Sequence, residues 1–132
     1  MSATIIDGQA VATRMRAQIK AEAEQFKAKY GYAPGLGVVL VGDDQASAMY
    51  VRMKRRACER AGMESVAHIM PSESTQNEVL ATVKALNDDP KIHGILVQLP
   101  MPDHIEEETI LRAVSLEKDV DGFHPVNIGL LA

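Results

Sequence analysis

A chain of 132 residues suits one domain and is long enough to bury roughly two thirds of its unfolded surface. Its 46% hydrophobic and 24% charged residues are those of an ordinary globular protein, and a net charge of −4 gives no electrostatic reason to expect nucleic acid or an anionic membrane as partner. One cysteine, Cys58, excludes an intrachain disulfide and points to a reducing compartment. No apolar run approaches the roughly 20 residues needed to cross a bilayer, and no apolar leader opens the chain, so it is expected in the cytoplasm.

In chain order, strand and helix patterns alternate. The short apolar run Ala3-Thr4-Ile5-Ile6 stops at Asp7, a good helix N-cap. Val11, Met15, Ile19, Ala23 and Phe26 then recur at helical spacing and predict a long amphipathic helix, ended by Gly31 and Pro34. Leu36-Gly37-Val38-Val39-Leu40-Val41 reads as a strand buried on both faces of a parallel sheet. Gly42-Asp43-Asp44 turns the chain into a helix over about residues 45–61, closed by Gly62, and residues 66–70 form a second strand. Thr75 and Glu78 make a capping box ahead of Val79, Leu80, Val83 and Leu86, with Pro90 beyond the helix. Residues 94–99 are another buried strand, ending at Pro100-Met101-Pro102, and a last helix covers about residues 106–114. Units of this length imply right-handed crossovers and a three-layer αβα domain with a mostly parallel sheet. The closing apolar stretch Asn127-Ile128-Gly129-Leu130-Leu131-Ala132 reads as the start of a connection to something else.

Open parallel sheets bind ligands beyond the carboxyl ends of their strands, which picks out the loops after Val41, Met70 and Val97. The first loop leads into the helix that bears Tyr50 and Lys54, four residues apart and therefore on one face. Such a pair suits acid–base work, but also an ordinary helix surface. Gln98 ends the run Ile95-Leu96-Val97 with a neutral amide, able to satisfy loop backbone or to orient a lysine without neutralising it. Lys118-Asp119-Val120-Asp121-Gly122 sets two carboxylates in a stretch that suits a turn, or two hydrogen bonds to an aminopyrimidine edge. His68, His93, His104 and His124 have no metal-ligand spacing and read as structural, Cys58 as a small buried residue, and Lys54-Arg55-Arg56 as a solvated helix face. Without G-x-G-x-x-G, dinucleotide binding by this chain alone is not expected. Asp43-Asp44 after a buried strand would also fit a phospho-accepting receiver domain. That reading needs a further aspartate at a later strand end, where Met70-Pro71 and Gln98-Leu99 stand instead.

Three segments together resemble one family, in order and at matching separations. Val41-Gly42 through Ala46-Ser47 to Tyr50-Val51 and Lys54 is similar to V-G-x-x-x-A-S-x-x-Y-V-x-x-K. Gly94-Ile95-Leu96-Val97-Gln98-Leu99-Pro100-Met101-Pro102 and Lys118-Asp119-Val120-Asp121-Gly122-Phe123-His124-Pro125 resemble G-[IL]-[LI]-V-Q-L-P-L-P and K-D-V-D-G-F-H-P. These are signatures of the bifunctional methylenetetrahydrofolate dehydrogenase/cyclohydrolase family. The resemblance implies a folate-binding catalytic domain over residues 1–122, with residues 123–132 starting the connection to an NADP-binding Rossmann domain that this chain lacks. It implies Lys54 as the catalytic general acid/base, Tyr50 stacking on the folate, Gln98 holding Lys54, Asp121 anchoring the pterin, and Pro100-Met101-Pro102 lining the cleft. The implied reaction oxidises 5,10-methylenetetrahydrofolate with NADP and hydrolyses the methenyl cation to 10-formyltetrahydrofolate; a fixed carboxylate in place of Gln98 would over-stabilise that cation. The chain departs at Gln45, Met53 and Met101, where proline, serine and leucine are usual, and none of these removes a catalytic group. Alone it is expected to lack dehydrogenase activity. A folate is the implied partner, with a homodimer left open. A short homologue that only binds folate, or serves as an assembly partner, is the alternative, against which the presence of both Tyr50 and Lys54 argues.

Overall fold

The aliphatic run that reads as a doubly buried strand forms β1 (Gly35–Val41), the centre of a three-stranded parallel sheet in the order β2-β1-β3. The computed structural model describes residues 3–132. Around β1 the chain places α1 (Gly8–Tyr30), α2 (Gln45–Arg60), β2 (Glu64–Met70), α3 (Gln76–Asp88), β3 (Gly94–Val97), α4 (Glu107–Ala113), a 3-10 turn (Leu116–Lys118) and α5 (Pro125–Leu131). Val38 pairs with Ala67 on one side and Leu96 on the other; Val39 pairs with His68 and Val97. Successive residues of β1 therefore face opposite layers. Val39 and Val41 pack with Ile95, Val97, Val79, Val83, Leu86 and Ile110, under α3 and α4. Val38, Leu40 and Leu96 pack with Val51 of α2. Both faces are covered, which gives the expected αβα layering. Each fully buried aliphatic side chain contributes about 1.5–3 kcal/mol. Gly37 admits α3 to the sheet, since a Cβ there would lie 2.8 Å from Leu86 Cδ2.

The predicted amphipathic helix forms as α1, with Asp7 Oδ1 accepting from Gln9 N and Ala10 N at 3.0 Å and Gly31 closing it at φ 82°. Its apolar stripe does not join the core. Only Ala23 is buried, while Val11, Met15 and Ile19 are 37–55% exposed. α2 packs on β1 and β2 and α3 on β1, while Val66 and Ile69 of the edge strand stay exposed, so the stripe of α1 is not seated on the sheet. Phe26, at its far end, joins Tyr30, Tyr32 and His93 in an aromatic cluster. Residues 3–6 form no strand, and Ile5 and Ile6 lie in solvent.

The second strand begins two residues earlier than predicted, at Glu64, and is a half-exposed edge. The third ends at Val97 rather than at residue 99: Gln98 N still donates to Val39 O at 2.8 Å, but Pro100 has no N–H to extend the ladder, and the Leu99–Pro100 peptide is cis. The stretch read as a connection contains α5, which His124 caps by accepting from Val126 N at 3.2 Å, with Pro125 at the first helical position. Val126, Ile128, Leu130 and Leu131 of that helix are exposed. No helix among the described residues is long and apolar enough to cross a membrane.

Candidate active site

At the carboxyl end of β1, Gly42 turns with φ 98° and donates its N–H to Met70 O at 2.9 Å. Two residues on, Asp44 Oδ2 accepts from Ser47 N at 2.7 Å and so starts α2. Those bonds to Ser47 hold the Asp44 carboxyl below its ordinary pKa. Ser47, Val51 and Cys58 are the buried side of α2, which fixes its rotation about its axis. Tyr50 and Lys54 then share a neighbouring face, the tyrosine 54% exposed and the lysine half-buried. Burial raises the Cys58 thiol's pKa, with Glu59 adding to it, so Cys58 behaves as a small core residue.

Lys54 Nζ donates to Gln98 Oε1 at 3.2 Å across the gap between α2 and the end of β3. The amide of Gln98 is oriented by its other half: Nε2 donates to Leu99 O at 3.0 Å, which leaves Oε1 toward the lysine. Gln98, which the sequence offered as able to orient a lysine or to satisfy loop backbone, does both: it holds Lys54 and bonds Leu99 O. Tyr50 has no such bond to Lys54 among the described residues; it offers an exposed ring one helical turn away.

Beyond Gln98 the loop divides. Pro100 is exposed, whereas Met101 is 6% exposed and packs into the α3–α4 core. Glu107 Oε1 accepts from Met101 N at 2.8 Å and ties the loop to α4, a contact that no sequence pattern signalled.

The two carboxylates after the 3-10 turn also divide. Asp119 takes the turn: Oδ1 accepts from Gly122 N at 3.1 Å, and Oδ2 accepts from His124 N at 2.9 Å and Asn127 Nδ2 at 3.0 Å. Burial would raise its pKa, but these bonds outweigh burial and lower it. Asp121 points elsewhere. Burial pushes its pKa up, the charge of Lys54 pulls against that shift, and Asp119 adds to it. Lys118, just ahead, donates to Leu86 O, Asn87 O and Asp89 O at 2.7–3.2 Å, closing the C-terminus of α3. Three of the histidines are frame elements: His93 Nδ1 accepts from Gly35 N at 3.0 Å, His104 Nε2 meets Ser74 O at 2.7 Å, and His124 caps α5.

The structure thus joins Lys54 to Gln98 at the carboxyl edge of the sheet, with the charge of Lys54 reaching Asp121; Tyr50 lies one helical turn before Lys54 and Pro100 two residues beyond Gln98. The sequence profile of the tetrahydrofolate dehydrogenase/cyclohydrolase catalytic domain matches residues 6–121. The chain belongs to that family. A bifunctional protein FolD of Moorella thermoacetica is 54% identical over 131 residues, covering 99% of this chain and 46% of the relative. A bifunctional FolD methylenetetrahydrofolate dehydrogenase/cyclohydrolase of Campylobacter jejuni superposes with a TM-score of 0.93 at 45% identity, covering 98% of this chain and 46% of that one. A methylenetetrahydrofolate dehydrogenase-cyclohydrolase (FolD) of Trypanosoma brucei, complexed with NADP cofactor and inhibitor, superposes at 0.90 with 36% identity, covering 99% and 45%. The chain spans about half the length of the curated relatives it matches.

Dinucleotide cofactors bind where glycines let a strand-to-helix turn approach a pyrophosphate at a helix N-terminus. The corresponding turn here, between β1 and α2, does not fit one. Gly42 is its single glycine, Asp43 and Asp44 would repel phosphate, and the Asp44 carboxylate already occupies Ser47 N.

Proposed function

We propose that this chain is the folate-binding catalytic half of an enzyme that oxidises 5,10-methylenetetrahydrofolate and hydrolyses 5,10-methenyltetrahydrofolate to 10-formyltetrahydrofolate. The observation that carries the reading is the Lys54–Gln98 hydrogen bond, 3.2 Å long at the carboxyl edge of the sheet, with the charge of Lys54 also reaching Asp121. In this reading Asp121 accepts hydrogen bonds from the amino and ring N–H groups of the pterin, Tyr50 stacks on the folate, and Pro100 borders the cleft.

Hydrolysis needs a group that moves a proton. Water adds to the methenyl carbon and gives up one proton to solvent; the remaining hydroxyl proton then passes to N5 as the bond from that carbon to N5 breaks, leaving a formyl group on N10. Lys54 Nζ is the group assigned to carry the proton to N5. A neutral amide holds this nitrogen without the ion pair that would oppose proton release. The charge of Lys54 favours the ionised form of Asp121, the form that accepts hydrogen bonds from the pterin.

In the oxidation, NADP would accept the hydride of the methylene bridge. We assign its binding to a following Rossmann-type domain, since the β1–α2 turn does not suit a dinucleotide. Residues 1–122 are then the folate unit, and residues 123–132, with α5, the start of the connection. The same reading places the enzyme in the cytoplasm, and sedimentation velocity tests a homodimer.

The test is the decay of methenyltetrahydrofolate absorbance with the purified chain. Faster decay than in buffer, lost in Lys54→Met, supports the reading. Folate binding without faster decay would point instead to a chain that only binds. NADP-dependent oxidation by the purified chain would overturn the assignment of the cofactor to another domain.

A further inference from the structure

Two aspartates stand two residues apart after the 3-10 turn, and the structure gives them opposite surroundings. Asp119 accepts three hydrogen bonds, from Gly122 N, His124 N and Asn127 Nδ2. Asp121 accepts none among the described residues and is left for something else. The first of Asp119's donors matters most. Gly122 N belongs to the peptide bond directly after Asp121, so Oδ1 of Asp119, at 3.1 Å, grips the backbone on which the Asp121 side chain pivots.

The rest of the turn is anchored around that grip. Gly122 takes φ 68°, a conformation that a side chain resists. The backbone of Asp119 bridges to Ile95 of β3. Gly94 gives Val120 room against the strand, since a Cβ there would lie 2.5 Å from Val120 Cγ1. Lys118 is fixed to three carbonyls at the end of α3. Every residue from 118 to 122 except Asp121 is thus engaged with the frame.

We propose that Asp119 is a positioning residue acting through Asp121: it locks the turn that presents the Asp121 carboxylate to the folate pterin. This rests on the reading of Asp121 as the pterin's partner. Asp119 itself touches no ligand. Its loss frees three donors and lets the Asp121–Gly122 peptide rotate, so the carboxylate is no longer held where the ligand needs it. A purely structural role would instead lower stability without a specific link to Asp121.

A double-mutant cycle separates these cases. Affinity for 5-formyltetrahydrofolate, a reduced folate without the reactive methylene bridge, is measured by calorimetry for the parent chain, Asp119→Ala, Asp121→Ala and the double variant. Loss of charge-assisted hydrogen bonds should weaken binding by about 10- to 100-fold in each single variant. The double variant should be no weaker than Asp121→Ala alone, within about twofold. Asn127→Ala removes one donor from Asp119 and leaves both backbone grips. It should weaken binding less, and not at all in an Asp121→Ala background, which keeps the test open if Asp119→Ala does not fold. Losses that multiply, for either variant, or parental affinity in Asp119→Ala, overturn the proposal while leaving Asp121's role intact. A parent chain that does not bind, or an Asp121→Ala chain that binds like the parent, overturns the role of Asp121 and the proposal with it.

Discussion

Lys118 sits in a motif whose aspartates attract attention, yet the structure gives it a mechanical task with a measurable size. Its ammonium donates to Leu86 O at 3.2 Å, Asn87 O at 2.7 Å and Asp89 O at 2.9 Å, where α3 runs out of internal partners for its last carbonyls. A hydrogen bond from a charged donor contributes about 1.5–3 kcal/mol, and a cation at a helix C-terminus typically adds about 0.3–1 kcal/mol. The three bonds share one nitrogen and compete with water, so they do not sum. Lys118→Met keeps the length of the stem and removes the charge, and the expected loss is about 2–3 kcal/mol. With a urea slope of about 1–3 kcal/mol per molar, the unfolding midpoint should fall by roughly 0.7–3 M. Hydrogen exchange should rise first at the end of α3, over residues 85–89. A midpoint within about 0.3 M of the parent would refute the reasoning, because surface lysines typically cost less than about 0.5 kcal/mol to replace.

Other expected outcomes rest on separate observations. Ile110 is fully buried between α4 and the sheet, so Ile110→Ala should cost about 2–5 kcal/mol in urea unfolding, and a loss under 1 kcal/mol would mean that this side is loosely packed. Gln98→Glu puts a carboxylate on Lys54 and against Leu99 O; methenyltetrahydrofolate hydrolysis at neutral pH should fall at least roughly tenfold and partly recover as the pH rises, whereas an unchanged profile would separate Gln98 from the proton transfer. The pKa of Asp121 is raised in the fold, so its protonated form is favoured there, and the charged form weighs against folding once the pH rises through the carboxylate range. Asp121→Asn should therefore raise the melting temperature at neutral pH, with the gain vanishing in acid. Asp119, with its pKa lowered, has the opposite sign: the stability it contributes is present near neutrality and lost as the pH falls through its folded pKa, so Asp119→Asn should lower the melting temperature at neutral pH and matter least in acid.

What the sequence revealed follows from how local each signal is. The doubly buried β1, the Thr75–Glu78 capping box and the Asp7 cap are encoded within a few residues, and each forms as the pattern implies. α1 had the right period but not the burial its stripe implied, because periodicity says which residues share a face and not which element that face meets. The meeting of Lys54 with Gln98 joins residues 44 apart in sequence, and periodicity cannot express it; the strand-end rule and the family motifs brought it within reach. By residue pattern either carboxylate suits the turn, and only the family motif pointed to Asp121 for the ligand; the backbone N–H groups of Gly122 and His124 show that Asp119 is the one that takes the turn. Glu107 left no mark in the pattern: its tie to Met101 N looks, in the sequence, like any acidic first turn.

The central claim is that a reduced folate lies across α2, the end of β3 and the turn at Asp121. The most direct measurement is amide chemical-shift mapping of the labelled chain during titration with 5-formyltetrahydrofolate. The expected result is a set of shifts at Tyr50, Lys54, Gln98, Asp121 and Gly122, with little change at the opposite end of the sheet around Gly35 and His93. Shifts centred on that opposite end, or on the exposed stripe of α1, would contradict the site as assigned.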